Sequence, residues 1–105
     1  MNNREKIEQS IICNKYECFI CRMVSDDLQL HHCVSGHGRR ELADEDGLFV
    51  MLCPYDHYIL HHKGTHDKEL KALAQKSFIE QKKGEGYSES QARGMWLNRY
   101  TRFYD

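Results

Sequence analysis

The stretch LQLHHCVSGHGRRELADEDGLFVMLCPYDHYILHHK, residues 28–63, decides the fold of this chain. Residues 28–32 and the apolar run 48–52 each have the length and composition of a short β-strand. Three glycines and many charges separate them, which predicts a loop at 34–47. Residues 54–62 begin with a proline, which suits the first turn of a helix because its missing N–H leaves no bond unmade there. The stretch therefore predicts strand, loop, strand and helix in that order.

Three histidines in this stretch have a spacing that suits one metal ion. His57 and His61 lie four residues apart, so they share one face of the predicted helix. His31, at the end of the first strand, completes the site if the two strands pack on that helix. Neutral imidazoles that leave coordination positions open are typical ligands of catalytic divalent ions.

His32 comes directly after His31 and suggests a second role. A histidine with an ordinary pKa of about 6.5 is suited to act as a general base at neutral pH. Adjacent residues of a regular strand point to opposite faces of the sheet. One histidine of this pair would therefore bind the metal and the other would accept a proton, and the spacing alone does not decide which does which.

The cysteines indicate a second metal site. Cys18 and Cys21 have the Cys-x-x-Cys spacing of a metal knuckle. The chain shows no signal-peptide pattern and no apolar run near the roughly 18 residues that span a bilayer. We therefore expect a cytoplasmic protein with no membrane partner. In that reducing compartment, paired cysteines favour metal binding over disulfides.

The segments on either side of the central stretch are predicted to be helical. Residues 4–12 place isoleucines on one face, and residues 65–83 carry apolar side chains at helical spacing. Ser88 and Gln91 form a capping-box pattern that begins a last helix. These helices, added to two strands, predict the α+β class.

Length and charge set bounds on the answer. A chain of 105 residues is expected to be one domain, with a core at about 18–66 and C-terminal helices at about 65–105. The formal net charge of −1 argues against a protein that coats DNA. It leaves a nuclease open, because a bound metal ion adds positive charge at the site.

Taken together, these motifs resemble a known family. Cys-Phe-Ile-Cys at 18–21, a His-His pair, a glycine-containing loop, and LFVMLC followed by two helical histidines are similar to the HNH endonucleases, and more closely to their small phage-type members. The similarity covers roughly residues 18–66. It implies a ββα-metal fold, in which a β-hairpin and a helix surround one metal, with a zinc knuckle and flanking helices.

The resemblance also implies which histidine does what. In that family the first residue of the His-His pair binds the metal and the second is the general base. The base would then be His32, and the metal ligands would be His31, His57 and His61. The implied activity is that of a metal-dependent DNA endonuclease, using one divalent ion (Mg, Mn, Ni or Zn) and leaving 5′-phosphate and 3′-hydroxyl ends. A lone site of this kind would nick one strand per encounter.

Further expectations concern the partners of such an enzyme. A neighbouring arginine is expected to hold phosphate, and the candidates are Arg39 and Arg40. DNA is the implied substrate, and phage or recombination proteins are the implied partners of a phage-encoded chain in the host cytosol. The oligomeric state stays open between monomer and homodimer.

One departure from the family concerns its middle asparagine. That position is Leu48 here, and Asp44 or Asp46 is the candidate for the loop-bracing role of the missing amide. The alternative function is therefore a catalytically weak or inactive module of the same fold, which binds nucleic acid or serves a phage complex.

A second departure concerns the structural zinc. Many family members use two Cys-x-x-Cys pairs, whereas the second pair here is Cys53-x-x-Asp56. Carboxylates also bind zinc. The predicted ligand set is Cys18, Cys21, Cys53 and Asp56, with Cys13 as the alternative fourth ligand.

Overall fold

The computed structural model describes residues 1–36 and 38–105, and over these ranges the chain forms five α-helices and a two-stranded antiparallel sheet. In chain order the elements are α1 (Asn3–Lys6), β1 (Gln29–His32), α2 (Arg39–Asp46), β2 (Phe49–Leu52), α3 (Pro54–Lys63), α4 (Asp67–Gly84) and α5 (Glu89–Tyr100). The predicted α+β class is confirmed. None of the helices in the described ranges is long and apolar enough to cross a membrane.

The two strands form the hairpin that carries the first histidines. His31 pairs with Val50 and His32 with Phe49 in the antiparallel register. All four residues of β2 are buried, whereas exposure varies along β1. Both strands lie within one residue of their predicted positions. Because side chains alternate along β1, His31 and His32 project from opposite faces of the hairpin.

The prediction of a loop at 34–47 is wrong for most of its length, because α2 occupies Arg39–Asp46. Gly38 and Gly47, both at positive φ, flank the helix at its two ends. Arginine, glutamate, leucine and alanine between them are good helix formers. Ala43 is buried, and the charges that suggested a loop lie largely on the solvent side of a short helix. His37, in the same predicted loop, lies outside the described residues.

Helix α3 lies where the sequence predicts it, apart from one additional residue at its end. The Sγ atom of Cys53 caps its first turn by accepting from the backbone N–H of Asp56 at 3.4 Å. Gly64, at φ 72°, ends it and donates its N–H to the carbonyl of Leu60 at 2.9 Å. This one helix thus carries metal-ligand candidates at both ends.

The helix predicted at 4–12 stops early. It runs from Asn3 to Lys6, continues as a 3-10 turn to Gln9, and ends at Ser10. The Ser10 hydroxyl donates to the carbonyl of Phe49 at 2.6 Å and accepts from two backbone N–H groups that follow it. These local hydrogen bonds replace the helical ones and tie the segment to β2.

The last two helices pack against each other and hold α2 in place. The capping box of Ser88 and Gln91 is present as predicted. Trp96 lies against Phe78 and Tyr100, with ring centroids 5.4 and 4.2 Å away. The Tyr100 hydroxyl donates to the Asp46 carboxylate at 2.6 Å, which joins α5 to α2. The C-terminal helices therefore fix the position of α2, which borders the histidines.

Candidate metal centres

The structure brings His31, His57 and His61 together. β1 supplies the first, and α3 supplies the other two from successive turns of one face. One ring nitrogen from each lies within 4.8 Å of the others, so the three are positioned to hold one metal ion. Their side chains grade from buried His31 through half-buried His57 to exposed His61. The cluster is therefore closed on the protein side and open to solvent on the other.

The electrostatics of His31 suit a metal ligand. Its Nε2 atom is buried and has no hydrogen-bond partner among the described residues. A buried polar atom left without a partner costs free energy, so such atoms are rare outside functional sites. Burial, followed by the nearby His57 and His61, lowers the pKa of His31 from 6.5 to about 4. The imidazole is thus neutral at pH 7, which is the form that binds metals.

The two helical histidines also point their nitrogens at a common position. Nε2 of His57 and Nε2 of His61 are 2.8 Å apart. Burial and then the charge of His61 lower the pKa of His57 as well. Two imidazole nitrogens at this distance either share one proton or both bind one cation. Together with the orphaned Nε2 of His31, this contact shows that the donor set fits a divalent ion.

Gln29 contacts the histidine cluster, and sequence reasoning missed it. Its side-chain oxygen accepts from Nδ1–H of His57, which leaves the lone pair of that neutral ring on Nε2, facing the other imidazoles. Partners of this kind orient metal-binding histidines and raise their basicity. The available signal was its position two residues before His31, on the same face of the strand.

His32 projects from the opposite face of β1 and meets α2. Its Nε2 lies 2.9 Å from Oδ1 of Asp44, and its ring packs edge-on against Phe49 with centroids 5.8 Å apart. The hydrogen bond to His32 and the ion pair with Lys6 lower the pKa of the Asp44 carboxyl. His32 still borders the cluster, because one groove is lined by Leu30, His31, His32, Ser35, Arg40, His57 and His61.

The structure distinguishes the two acids that were candidates to replace the missing asparagine. Leu48 is fully buried in the core, where its side chain packs rather than bonds. The Asp46 carboxylate accepts hydrogen bonds from Arg99 and Tyr100 of α5. Of the two candidates, Asp44 alone contacts His32.

The two candidate phosphate-binding arginines lie in different surroundings. Arg39 donates to the hydroxyl of Thr101, at the end of α5. Arg40 lines the groove that holds the histidine cluster and His32. Arg40 therefore lies beside the histidines, whereas Arg39 links α2 to the C-terminal helix, and the phosphate contact of this pair stays a prediction.

The predicted zinc ligands also lie together. Sγ of Cys18 and Sγ of Cys53 are each 3.2 Å from Oδ2 of Asp56, and Sγ of Cys21 is 3.9 Å from Sγ of Cys53. One donor atom from each of the four lies within 4.8 Å of the others. This four-residue group is positioned to hold a metal ion, and Asp56 rather than Cys13 is its fourth member.

Local backbone structure forms the cysteine cluster. The segment after Cys18 turns back on itself, with Arg22 at φ 68° and its N–H donated to the Cys18 carbonyl at 2.9 Å. The N–H of Phe19 donates to the Met51 carbonyl at 2.8 Å, which docks this knuckle on β2. Burial raises the pKa of the Cys53 thiol to about 12. A metal ion would therefore have to displace a proton to bind there, and its affinity would decrease as the pH decreases.

Comparisons of the chain with protein-family models, with curated proteins and with solved structures found no match in any of the three. The resemblance to the HNH endonucleases therefore rests on the motifs of the sequence alone, and the chemistry of the two clusters rests on their own residues.

Proposed function

We propose that this protein is a metal-dependent DNA endonuclease with a ββα-metal core formed by β1, β2 and α3. The observation that supports it is the convergence of three imidazoles on one position in a groove that His32 and Arg40 also line. Three protein ligands with an open side are the arrangement of a catalytic rather than a structural metal site.

In this proposal the residues around the groove divide the work of phosphodiester hydrolysis. A divalent ion held by His31, His57 and His61 would stabilise the charge that develops on the phosphate and on the leaving O3′. His32 accepts the proton of the attacking water at Nδ1, since Nε2 faces Asp44. Arg40 holds a phosphate oxygen of the strand. The water oxygen bonds to phosphorus as the P–O3′ bond breaks, and O3′ takes up a proton from solvent, which leaves 5′-phosphate and 3′-hydroxyl ends.

The cysteine cluster has a structural part in the proposal. Four ligands around one position, three of them buried, leave no room for a substrate. A zinc ion there would join the knuckle at Cys18 to the first turn of α3. Because α3 also carries His57 and His61, the zinc would hold two ligands of the open site in place.

The test is cleavage of supercoiled plasmid by protein stripped of metal and reloaded with Mg, Mn, Ni or Zn. The wild-type chain should relax or linearise the plasmid with at least one ion, and His32→Ala should cut at least about 100-fold more slowly, the usual contribution of a general base. His62→Ala is the matched control, because His62 is an exposed neighbour on α3 that stacks on Tyr58. Failure of the wild-type chain to cut with any of the four metals, or a fully active His32→Ala variant, would overturn the assignment.

A second candidate is a metal-binding module of the same fold that binds nucleic acid, or serves a larger complex, without cutting. The observation that favours it is the burial of Leu48, which leaves no side-chain amide at the position where the HNH endonucleases carry their asparagine. A gel-shift experiment together with the plasmid assay distinguishes the two. This candidate predicts that the protein binds DNA with both metal sites filled and that the plasmid stays uncut.

A further inference from the structure

The side chain of Asp44 lies between two groups from other parts of the chain. Its Oδ1 is 2.9 Å from Nε2 of His32 and is also paired with Nζ of Lys6. We propose that Asp44 is a positioning residue, which orients His32 for proton transfer and takes the place of the asparagine that Leu48 has replaced. This inference rests on the proposed nuclease function and adds to it a role that neither the three histidines of the cluster nor His32 itself explains.

The contacts around His32 restrict its ring on two sides. Phe49 lies against it edge-on, and Asp44 receives its Nε2–H. The His32 side chain is only 10% exposed, whereas that of Asp44 is 40% exposed. A ring held this way keeps one orientation, and in its neutral form the lone pair is on Nδ1. An aligned base is worth more than a rotating one, because the reactive geometry is already formed when substrate arrives.

Lys6 gives the carboxylate a fixed position in turn. It reaches Asp44 from the end of α1, while Asp44 itself is carried by α2 and His32 by β1. Three separate elements therefore meet at one carboxylate oxygen. Leu48 lies in the apolar core and contributes no polar atom to this arrangement.

The experiment compares Asp44→Ala and Asp44→Asn with the wild-type chain in two readouts. The first is steady-state nicking of plasmid. We expect kcat to fall by about 10- to 100-fold in Asp44→Ala, the usual contribution of residues that orient functional histidines, with KM unchanged within about twofold. Asp44→Asn keeps an acceptor oxygen and should recover part of that loss. Glu41→Gln, on the same helix and the same groove, is the matched control and should behave as wild type.

The second readout is the proton NMR signal of the His32 Nε2–H group in the metal-loaded protein. We expect a downfield signal, slow to exchange, that Asp44→Ala abolishes and Asp44→Asn retains in part. This signal reports the contact itself, and thermal melting shows whether each variant is folded. A merely structural role for Asp44 would lower stability without separating kcat from KM.

The outcomes separate this inference from the function on which it rests. If the wild-type chain cuts and Asp44→Ala matches it, Asp44 does not position the base and the inference is wrong while the nuclease stands. If the wild-type chain fails to cut with any of the four metals, the nuclease function and the inference are both wrong. A drop in kcat that follows the loss of the Nε2–H signal, with recovery in Asp44→Asn, supports the inference.

Discussion

The two clusters share one helix yet differ in almost every physical property. Cys53 caps α3 and Asp56 lies in its first turn, while His57 and His61 lie on another face of the same helix. The cysteine cluster has four donors, of which Cys21 alone is exposed, and the histidine cluster has three donors that grade from buried to exposed. Asp56 and His57 are adjacent in sequence but face different sites. A turn of 100° between neighbouring helical residues is enough to separate them.

This difference teaches how one short helix can serve two purposes. Four thiolate and carboxylate donors that enclose an ion contribute to folding, whereas three imidazole donors open to solvent leave room for other ligands. We expect the cysteine cluster to matter most for stability, and the histidine cluster to matter most for metal exchange and for the proposed chemistry. Each prediction below separates the two.

The largest expected effect comes from Cys18→Ser. Cys18 is fully buried and joins the knuckle to Asp56, so its loss should release one equivalent of zinc and lower the free energy of unfolding by about 4 kcal/mol or more. Urea unfolding and metal analysis measure both quantities. Cys13→Ser is the matched control, because Cys13 is half-buried and outside the cluster. Equal stability of the two variants would show that the cysteines hold no structural metal.

An intermediate effect is expected from pH at the histidine cluster. The folded-state pKa of His31 is about 4, below its ordinary value of 6.5, so the unfolded chain binds more protons between these values. Stability should therefore fall as the pH falls from about 6.5 towards 4, by up to about 3 kcal/mol. The measurement is urea unfolding of protein carrying one equivalent of zinc.

Because acid also weakens zinc binding at the cysteines, the pH prediction needs a reference. His31→Leu removes the titrating group and keeps the cysteines, so the difference in stability between wild type and variant isolates the histidine. The stability of the wild type relative to the variant should decrease as the pH falls. A difference that stays constant between pH 7 and pH 4.5 would contradict the neutral, buried state of His31.

The smallest expected effect is that of Gln29→Leu. Without the oxygen that accepts Nδ1–H of His57, the imidazole loses its fixed orientation. Affinity of the histidine cluster for Ni or Zn should fall by about 10- to 100-fold, while the affinity of the cysteine cluster stays unchanged. Calorimetric titration of the zinc-loaded protein measures this. An unchanged affinity would mean that α3 alone orients His57.

Much of the architecture was predictable from local patterns. The capping box at Ser88, the proline at the start of α3 and the apolar run of β2 each act within a few residues, so they are visible in sequence. The same holds for His57 and His61, since the helix period alone places them together. The wrong prediction at 34–47 has a similar origin. Gly38 and Gly47, which predict a loop, cap the two ends of α2, and the charged stretch between them is a helix whose Ala43 faces the core.

The sequence by itself determined the donor types of the two candidate ligand sets and their spacing, because the periodicities of strand and helix act locally. Only the tertiary structure decided how these sets are completed. Cys18 meets Asp56 across 38 positions, and Gln29 meets His57 across 28. Asp44 rather than Asp46 reaches His32 because packing of α2 against the hairpin and α5 sets which carboxylate faces which element. Such contacts depend on how the buried faces fit together, which no local pattern encodes.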